Sequence, residues 1–240
     1  MIEIKNVSKT FNGNIRAIRD LSLSIPDGKI IGFIGLNGAG KTTLIKMMTG
    51  ILELDHGSIT INGLDISKDA LEAKQNIGYI TDSPDMFLRL TGYEFINFIA
   101  DIYQVDSEVR KMRISYFAKE FGLLDLLDKP MLGYSHGMRQ KMMVVAALVH
   151  DPKVWILDEP MVGLDPKSAI ALKKMMREHV KAGNTVFFST HVLEVAEKLC
   201  DEIAIIHEGE IIYYGTLNHL IKKYKKKDLE ELFVEVLKHA

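Results

Sequence analysis

The sequence predicts an α/β fold with a mixed sheet, an antiparallel β section and an inserted helical segment. Three observations carry that expectation. Compact β-branched apolar runs recur at residues 77–80, 154–157, 185–189 and 203–206, with helix-like stretches between them. Such runs suit strands covered on both faces of a parallel sheet. The run at residues 29–34 leads into a glycine-rich turn and then a helix over residues 41–49, and strand signals stop between about Thr91 and His150.

Taken in order, residues 1–11, 18–25 and 58–62 read as half-exposed strands. Turns at Asn12-Gly13, Pro26-Asp27-Gly28 and Asn62-Gly63 set them as an antiparallel section beside the main sheet. Phe95, Phe98, Ile99 and Ile102 fall at i, i+3, i+4 and i+7, an amphipathic helix with Thr91 as its N-cap. Residues 109–121 and 138–149 read as further helices. The expected organisation is a single domain over residues 1–240. Its core comes from residues 1–82 and 151–220, a helical subdomain from 83–150 and a helical tail from 221–240. In the tail, Lys222-Lys-Tyr-Lys-Lys-Lys227 precedes Leu229, Leu232, Phe233, Val236 and Leu237. This reads as a solvated helix end followed by a packed terminal helix, with contact to anionic lipid headgroups as the alternative.

Composition narrows the function. The 240 residues carry 30 Lys and Arg against 32 Asp and Glu, a net charge of −2. A general nucleic-acid binder needs a strong positive excess, so no nucleic-acid partner is expected. The lone cysteine, Cys200, excludes an internal disulfide framework and reads as a small buried hydrophobe near a helix end. The longest apolar run, residues 142–149, is eight residues, where a membrane-spanning helix needs about 20. The first residues alternate like a strand and lack the apolar region of a signal peptide. A cytosolic or peripheral protein is expected.

Gly35-Leu-Asn-Gly-Ala-Gly-Lys-Thr42 matches the phosphate-loop pattern G-x-x-x-x-G-K-[ST], after a strand and opening a helix. Gly35, Gly38 and Gly40 are expected to take positive φ and, with Asn37 and Ala39, turn backbone N–H groups inward as an anion nest. Lys41 supplies a point charge to the β- and γ-phosphates, the Thr42 hydroxyl a ligand for Mg²⁺, and Thr43 a donor to the α-phosphate. Asp158 and Glu159 close the run at 154–157, at the C-terminal strand edge where open α/β sheets bind ligands. Asp158 is typed to hold Mg²⁺, and Glu159 to orient or deprotonate an attacking water. The fold expectation is therefore a P-loop NTPase core.

In order and separation, residues 35–42, Tyr134-Ser-His-Gly-Met-Arg-Gln-Lys141, residues 154–159, Gly163-Leu-Asp165 and Ser189-Thr-His191 resemble the ATP-binding subunits of ABC transporters, over essentially the whole chain. Of that family's Leu-Ser-Gly-Gly-Gln signature, Ser135 and Gly137 are kept. The resemblance implies that they cap the γ-phosphate of ATP held by another subunit, while Ser135 also suits an ordinary N-cap. His136 replaces a glycine, which is costly if positive φ is required there. His191 matches the switch histidine at the γ-phosphate, and Asp165 the loop that communicates across the dimer. Phe11 matches the aromatic against adenine, though it also reads as a core residue. Asp82 stands where the family has glutamine, able to hold Mg²⁺ directly or through water. Ser83 is the competing candidate, and a turn role before Pro84 the third reading.

The implied protein is an ATPase using ATP and Mg²⁺, paired as a homodimer or heterodimer of ATPase subunits. It drives a separate transmembrane subunit docked near Asp82 and the helical lobe, at the inner face of the cell membrane. Asp82, the altered signature and Asp228-Leu-Glu-Glu-Leu-Phe233 resemble the exporter-like, ABC-2-type subclass. A soluble ABC-type ATPase of translation or DNA repair is the alternative. A regulatory subunit that binds ATP without hydrolysing it is a third, opposed by Glu159 and His191.

Overall fold

The computed structural model describes residues 1–85, 87–225 and 229–238, with Leu229 and Glu230 described in backbone only. The chain runs β1 (Ile2–Phe11), β2 (Ile15–Ile25), β3 (Ile30–Ile34), α1 (Lys41–Met48), β4 (His56–Ile61), β5 (Leu64–Asp65), α2 (Ala70–Gln75) and β6 (Ile77–Ile80). Three helices follow, α3 (Gly92–Ile102), α4 (Ser107–Glu120) and α5 (His136–Leu148). The chain returns through β7 (Val154–Leu157), α6 (Pro166–Lys181), β8 (Thr185–Thr190), α7 (Leu193–Leu199), β9 (Glu202–His207) and β10 (Glu210–Gly215), ending in α8 (Leu217–Tyr224) and α9 (Leu229–Lys238).

Six strands form one sheet in the order β10-β9-β3-β8-β7-β6, and four form a second in the order β2-β1-β4-β5. The apolar runs read from the sequence are the parallel strands, β9 through β6. β10, which the sequence did not announce, adds an antiparallel edge. Both faces of the large sheet are covered. On β8, Val186 and Phe188 join the core shared with α3 to α6, while Phe187 joins the core shared with α1 and the antiparallel sheet. A strand buried on both faces needs no polar alternation, so its sequence is continuously apolar.

The helices between β6 and β7 follow local rules. Thr91 caps α3 in a full capping box with Glu94. The apolar stripe expected on α3, however, is split. Phe95 is buried and Ile99 half-buried, but Phe98 is 42% and Ile102 56% exposed. Burial runs instead through Gly92, Phe95, Ile96 and Ala100. The stripe is wider than the face that meets the core, so its outer edge remains in solvent. Residues 142–149 are all buried and carry α5 into the core shared with the sheet. Among the described residues, no helix is long and apolar enough to cross a membrane.

In the tail, Leu232 and Val236 pack with Ile203, Ile205 and Leu220 behind the sheet, and Phe233 lies against them. Lys222, Lys223 and Lys225 are exposed at the end of α8. Lys226, Lys227 and Asp228 of the expected tail pattern lie outside the described residues, and so does the side chain of Leu229. Cys200 ends α7 with its thiol against Gly32 of β3, and burial pushes that thiol up to about 12, as expected of an inert hydrophobe.

Two histidines are held neutral in the interior. His179 packs edge-on to Trp155, and its Nε2 has no hydrogen-bond partner among the described residues. His150 stacks on Tyr103 with its Nε2 against the Ile77 carbonyl. Burial lowers both from 6.5 to about 4. The unfolded chain therefore binds more protons between those values, and stability present above pH 6.5 is lost as pH falls toward 4. At about 1.4 kcal/mol per pH unit of lowered pKa, a few kcal/mol are at stake. Denaturant midpoints measured from pH 7 to pH 4 should fall across this window, and His179→Phe should flatten the fall; an identical slope in the variant would contradict the assignment.

Candidate active site

The phosphate loop joins β3 to α1. Gly38 and Gly40 take positive φ, at 81° and 111°. Gly35 does not, which corrects the torsional reason expected for it. Its constraint is space, because a Cβ there would stand 2.7 Å from both the Ile206 side chain and carbonyl. Lys41 is 7% exposed; its Nζ donates to the carbonyls of Gly35 at 2.8 Å and Leu36 at 3.3 Å, and lies 3.6 Å from Glu159 Oε1. The ammonium is thus held at the mouth of the loop by partners that a phosphate can replace.

A cavity of about 270 Å³ opens here, lined by Ala17, Asn37, Gly38, Gly40, Lys41, Thr42, Thr43, Asp82 and Glu159. Asp82 is therefore at the phosphate loop, with Oδ1 accepting from the Thr81 hydroxyl at 3.1 Å. Ser83 is not in the lining. A wider cleft of about 790 Å³ lies between β2 and β10 and includes none of the predicted site residues.

β7 delivers the two acids. Asp158 is 0% exposed; its Oδ1 accepts from the Ser189 hydroxyl at 2.5 Å, while Oδ2 has no hydrogen-bond partner among the described residues. Burial pushes its pKa up, offset in part by the hydroxyls of Ser189 and Thr42 and reinforced by the charges of Asp82 and Glu159. Glu159 sits at φ 47°, in the left-handed region, so its side chain turns back over the loop. His191, just beyond β8, places Nδ1 3.1 Å from Glu159 Oε2. Lys41, Glu159 and His191 thus form a continuous chain of polar contacts beside the cavity.

The remaining predicted residues stand apart from this cavity. Ser135 caps α5 by accepting from the Met138 N–H at 3.3 Å. His136 is not at positive φ, so the cost anticipated for it does not arise. Gly137 packs so closely on Gly163 that a Cβ would meet the Gly163 carbonyl oxygen at 2.5 Å. Asp165 caps α6 through the Ser168 N–H and hydroxyl, with Lys141 Nζ at 3.4 Å, and these contacts, the Ser168 hydroxyl first, hold its carboxyl down at about 2. Phe11 closes β1 half in solvent, with Lys9 Nζ 5.9 Å from its ring centre.

The described residues hold no group of three His, Cys, Asp or Glu side chains suited to a metal ion. Mg²⁺ at phosphate loops does not need one. It keeps several waters and takes one or two protein oxygens plus phosphate oxygens. The unpartnered Asp158 Oδ2 and the neighbouring Thr42 hydroxyl fit that donor set.

With this geometry in place, comparison with known proteins is decisive. The family described as ABC transporter matches residues 18–162. The chain belongs to the ATP-binding proteins of ABC transporters. The ABC transporter ATP-binding protein NatA of Bacillus subtilis (strain 168) is 35% identical over 241 residues, 99% of this chain and 98% of NatA. The linearmycin resistance ATP-binding protein LnrL of the same organism is 32% identical over 240 residues, 100% of this chain and 77% of LnrL. A solved structure of an ATP-binding subunit of an ABC transporter superposes with a TM-score of 0.94 at 32% identity, covering 99% of both chains.

As an ABC ATPase, the chain carries two features that its sequence left unassigned. Ala17 lines the phosphate cavity, and its carbonyl approaches Gly40. Ser189 bridges the two acids. A small residue and a strand serine give no signal on their own, although Ser189 stands two residues before His191. A second concavity, about 440 Å³ and mostly apolar, lies beside α3 and includes Tyr79, Thr81, Phe87, Phe95, Ile99, Tyr103 and His150. Thr81 is in its lining and Asp82 in that of the phosphate cavity, so adjacent residues connect the two.

Proposed function

We propose that this ABC ATPase powers export through a separate transmembrane subunit, with each ATP held between two ATPase chains. The observation that carries this reading is the convergence of Lys41, Asp82, Asp158, Glu159 and His191 on one sheet edge, with Ser135 and Gly137 left outside it. In a head-to-tail pair, the helix N-terminus capped by Ser135 faces the γ-phosphate of the other chain, where its N–H groups stabilise negative charge. Residues 83–150 move as the unit that carries that segment, and Asp165 lies on the loop shared by the two sites. Phe11 stacks on adenine beyond the phosphate cavity.

Asp158 and Thr42 would hold Mg²⁺, with Asp82 near enough to reach it directly or through a water, and the ion would supply charge neutralisation at the phosphates. Glu159 takes a proton from the attacking water as a bond forms from its oxygen to the γ-phosphorus. The bond from that phosphorus to the β–γ bridging oxygen breaks, giving ADP and inorganic phosphate. His191 orients Glu159, and Lys41 leaves the loop carbonyls for the β- and γ-phosphates. Loss of the γ-phosphate removes what joins the two chains, so binding closes the pair and hydrolysis releases it.

The transmembrane partner docks a cytoplasmic segment in the apolar concavity beside α3, where exposed Phe98 and Ile102 extend the apolar surface. Thr81 and Asp82 connect that surface to the phosphate site. On this reading the chain works at the cytoplasmic face of the cell membrane. The relative named for linearmycin resistance supports export as the direction.

Glu159→Gln should keep ATP affinity, lower steady-state turnover by about 10²–10⁴-fold and accumulate an ATP-bound dimer by light scattering. Wild-type turnover in that variant would remove Glu159 from its role. Phe98→Asp combined with Ile102→Asp should retain ATP binding in solution but lose recovery with the membrane fraction; undiminished recovery would refute the docking surface.

A further inference from the structure

Beyond Leu157 and Phe188 the pairing of β7 with β8 stops. The next link between the two strand ends is a side chain. The Ser189 hydroxyl donates to Asp158 Oδ1 at 2.5 Å, and its oxygen accepts the Glu159 N–H at 2.9 Å. Ser189 is 0% exposed, so neither bond is shared with bulk solvent. A serine hydroxyl has one donor and two acceptor positions, and both types are used here.

Each bond holds a group that the site depends on. Asp158 Oδ2 has no hydrogen-bond partner among the described residues, and Oδ1 takes the short bond from Ser189, with the Thr42 hydroxyl the one other hydroxyl that favours the ionised carboxylate. Glu159 stands at φ 47°, a conformation that a residue with a side chain keeps only where its surroundings enforce it. The Ser189 bond to its N–H is part of that enforcement. Two residues along the same chain, His191 meets the Glu159 carboxylate. The end of β8 therefore grips Glu159 at both backbone and side chain.

We propose that Ser189 is a positioning residue for the reaction, setting the Asp158 carboxylate toward the divalent cation and the Glu159 backbone toward the attacking water through one buried hydroxyl. This inference rests on the reading of Asp158 as a cation ligand and Glu159 as the base. Alanine removes both bonds at once. It leaves Asp158 with the Thr42 hydroxyl alone and lets Glu159 relax from its left-handed torsion, so cation affinity and turnover fall together while the phosphate loop is untouched.

The test is Ser189→Ala in the full chain, with three readouts. Mn²⁺ affinity in the presence of a non-hydrolysable ATP analogue, followed by electron paramagnetic resonance, should weaken about 10- to 100-fold. The turnover number should fall by about tenfold or more. Affinity for the analogue in excess chelator should stay at the wild-type value. Wild-type Mn²⁺ affinity and turnover would overturn the proposal, and so would an equal loss of metal-free nucleotide binding, which marks a merely structural role. Where Ser189→Ala does not fold, Ser189→Thr and Ser189→Val form an isosteric pair differing only in the hydroxyl. Tighter Mn²⁺ binding and faster turnover in the threonine variant support the proposal, and equal behaviour overturns it. A Glu159→Gln chain that still turns over ATP shows instead that the underlying reading has failed, whatever the Ser189 variants do.

Discussion

Register among three neighbouring parallel strands sets the position of the phosphate loop, both acids after β7 and His191. Ile34 of β3 pairs with Thr190 of β8, and Leu157 of β7 with Phe188, so the three strands end at nearly one level. The phosphate loop, Asp158-Glu159 and His191 each begin within two residues of those ends. A shift of one residue in either pairing would turn the flanking side chains to the opposite face and bury the chemistry. Parallel strands force this arrangement, because all of them finish on one edge and each connection must cross back over the sheet.

That edge has to hold charges close to a core. Lys41 and Asp158 are almost wholly buried, and a buried charge is costly unless partnered. The protein satisfies Lys41 with loop carbonyls and Glu159, and Asp158 only in part, with the hydroxyls of Ser189 and Thr42. Partial satisfaction of Asp158 is what a cation site requires, since a fully hydrogen-bonded carboxylate has no oxygen to offer. The same logic explains the left-handed torsion of Glu159. It turns the side chain off the strand and over the loop, where Lys41 compensates its charge and His191 meets its other oxygen.

Much of this was legible in the sequence. Strands β6 to β9 announce themselves because both faces are covered, and α3 because Thr91 is an N-cap followed by apolar residues at helical spacing, a cap the structure completes with Glu94. The phosphate loop and the acids after β7 are contiguous motifs, so their residues can be named in advance. Features built from distant or minimal pieces were not legible. β5 has two residues, and β10 follows a tight turn with half-buried Ile211 and Ile212 that carry little pattern. The burial face of α3 depends on packing, which periodicity alone overestimated at Phe98 and Ile102. Gly35 was read for torsion, whereas its reason is the approach of Ile206 from β9, 171 positions away in sequence. Ser189 belongs to the same class, because its bond to Asp158 joins residues 31 apart through a side chain that looks ordinary within a strand.

Ser135 and Gly137 stand outside the residues converging on the phosphate cavity, and on the proposed reading each chain supplies half of each of two ATP sites. Turnover per chain, measured as a function of chain concentration at saturating ATP and Mg²⁺, addresses that claim most directly. A shared site predicts turnover per chain that rises with concentration and then levels off as pairs form. Constant turnover per chain, maintained at concentrations where light scattering shows only monomer, would contradict it.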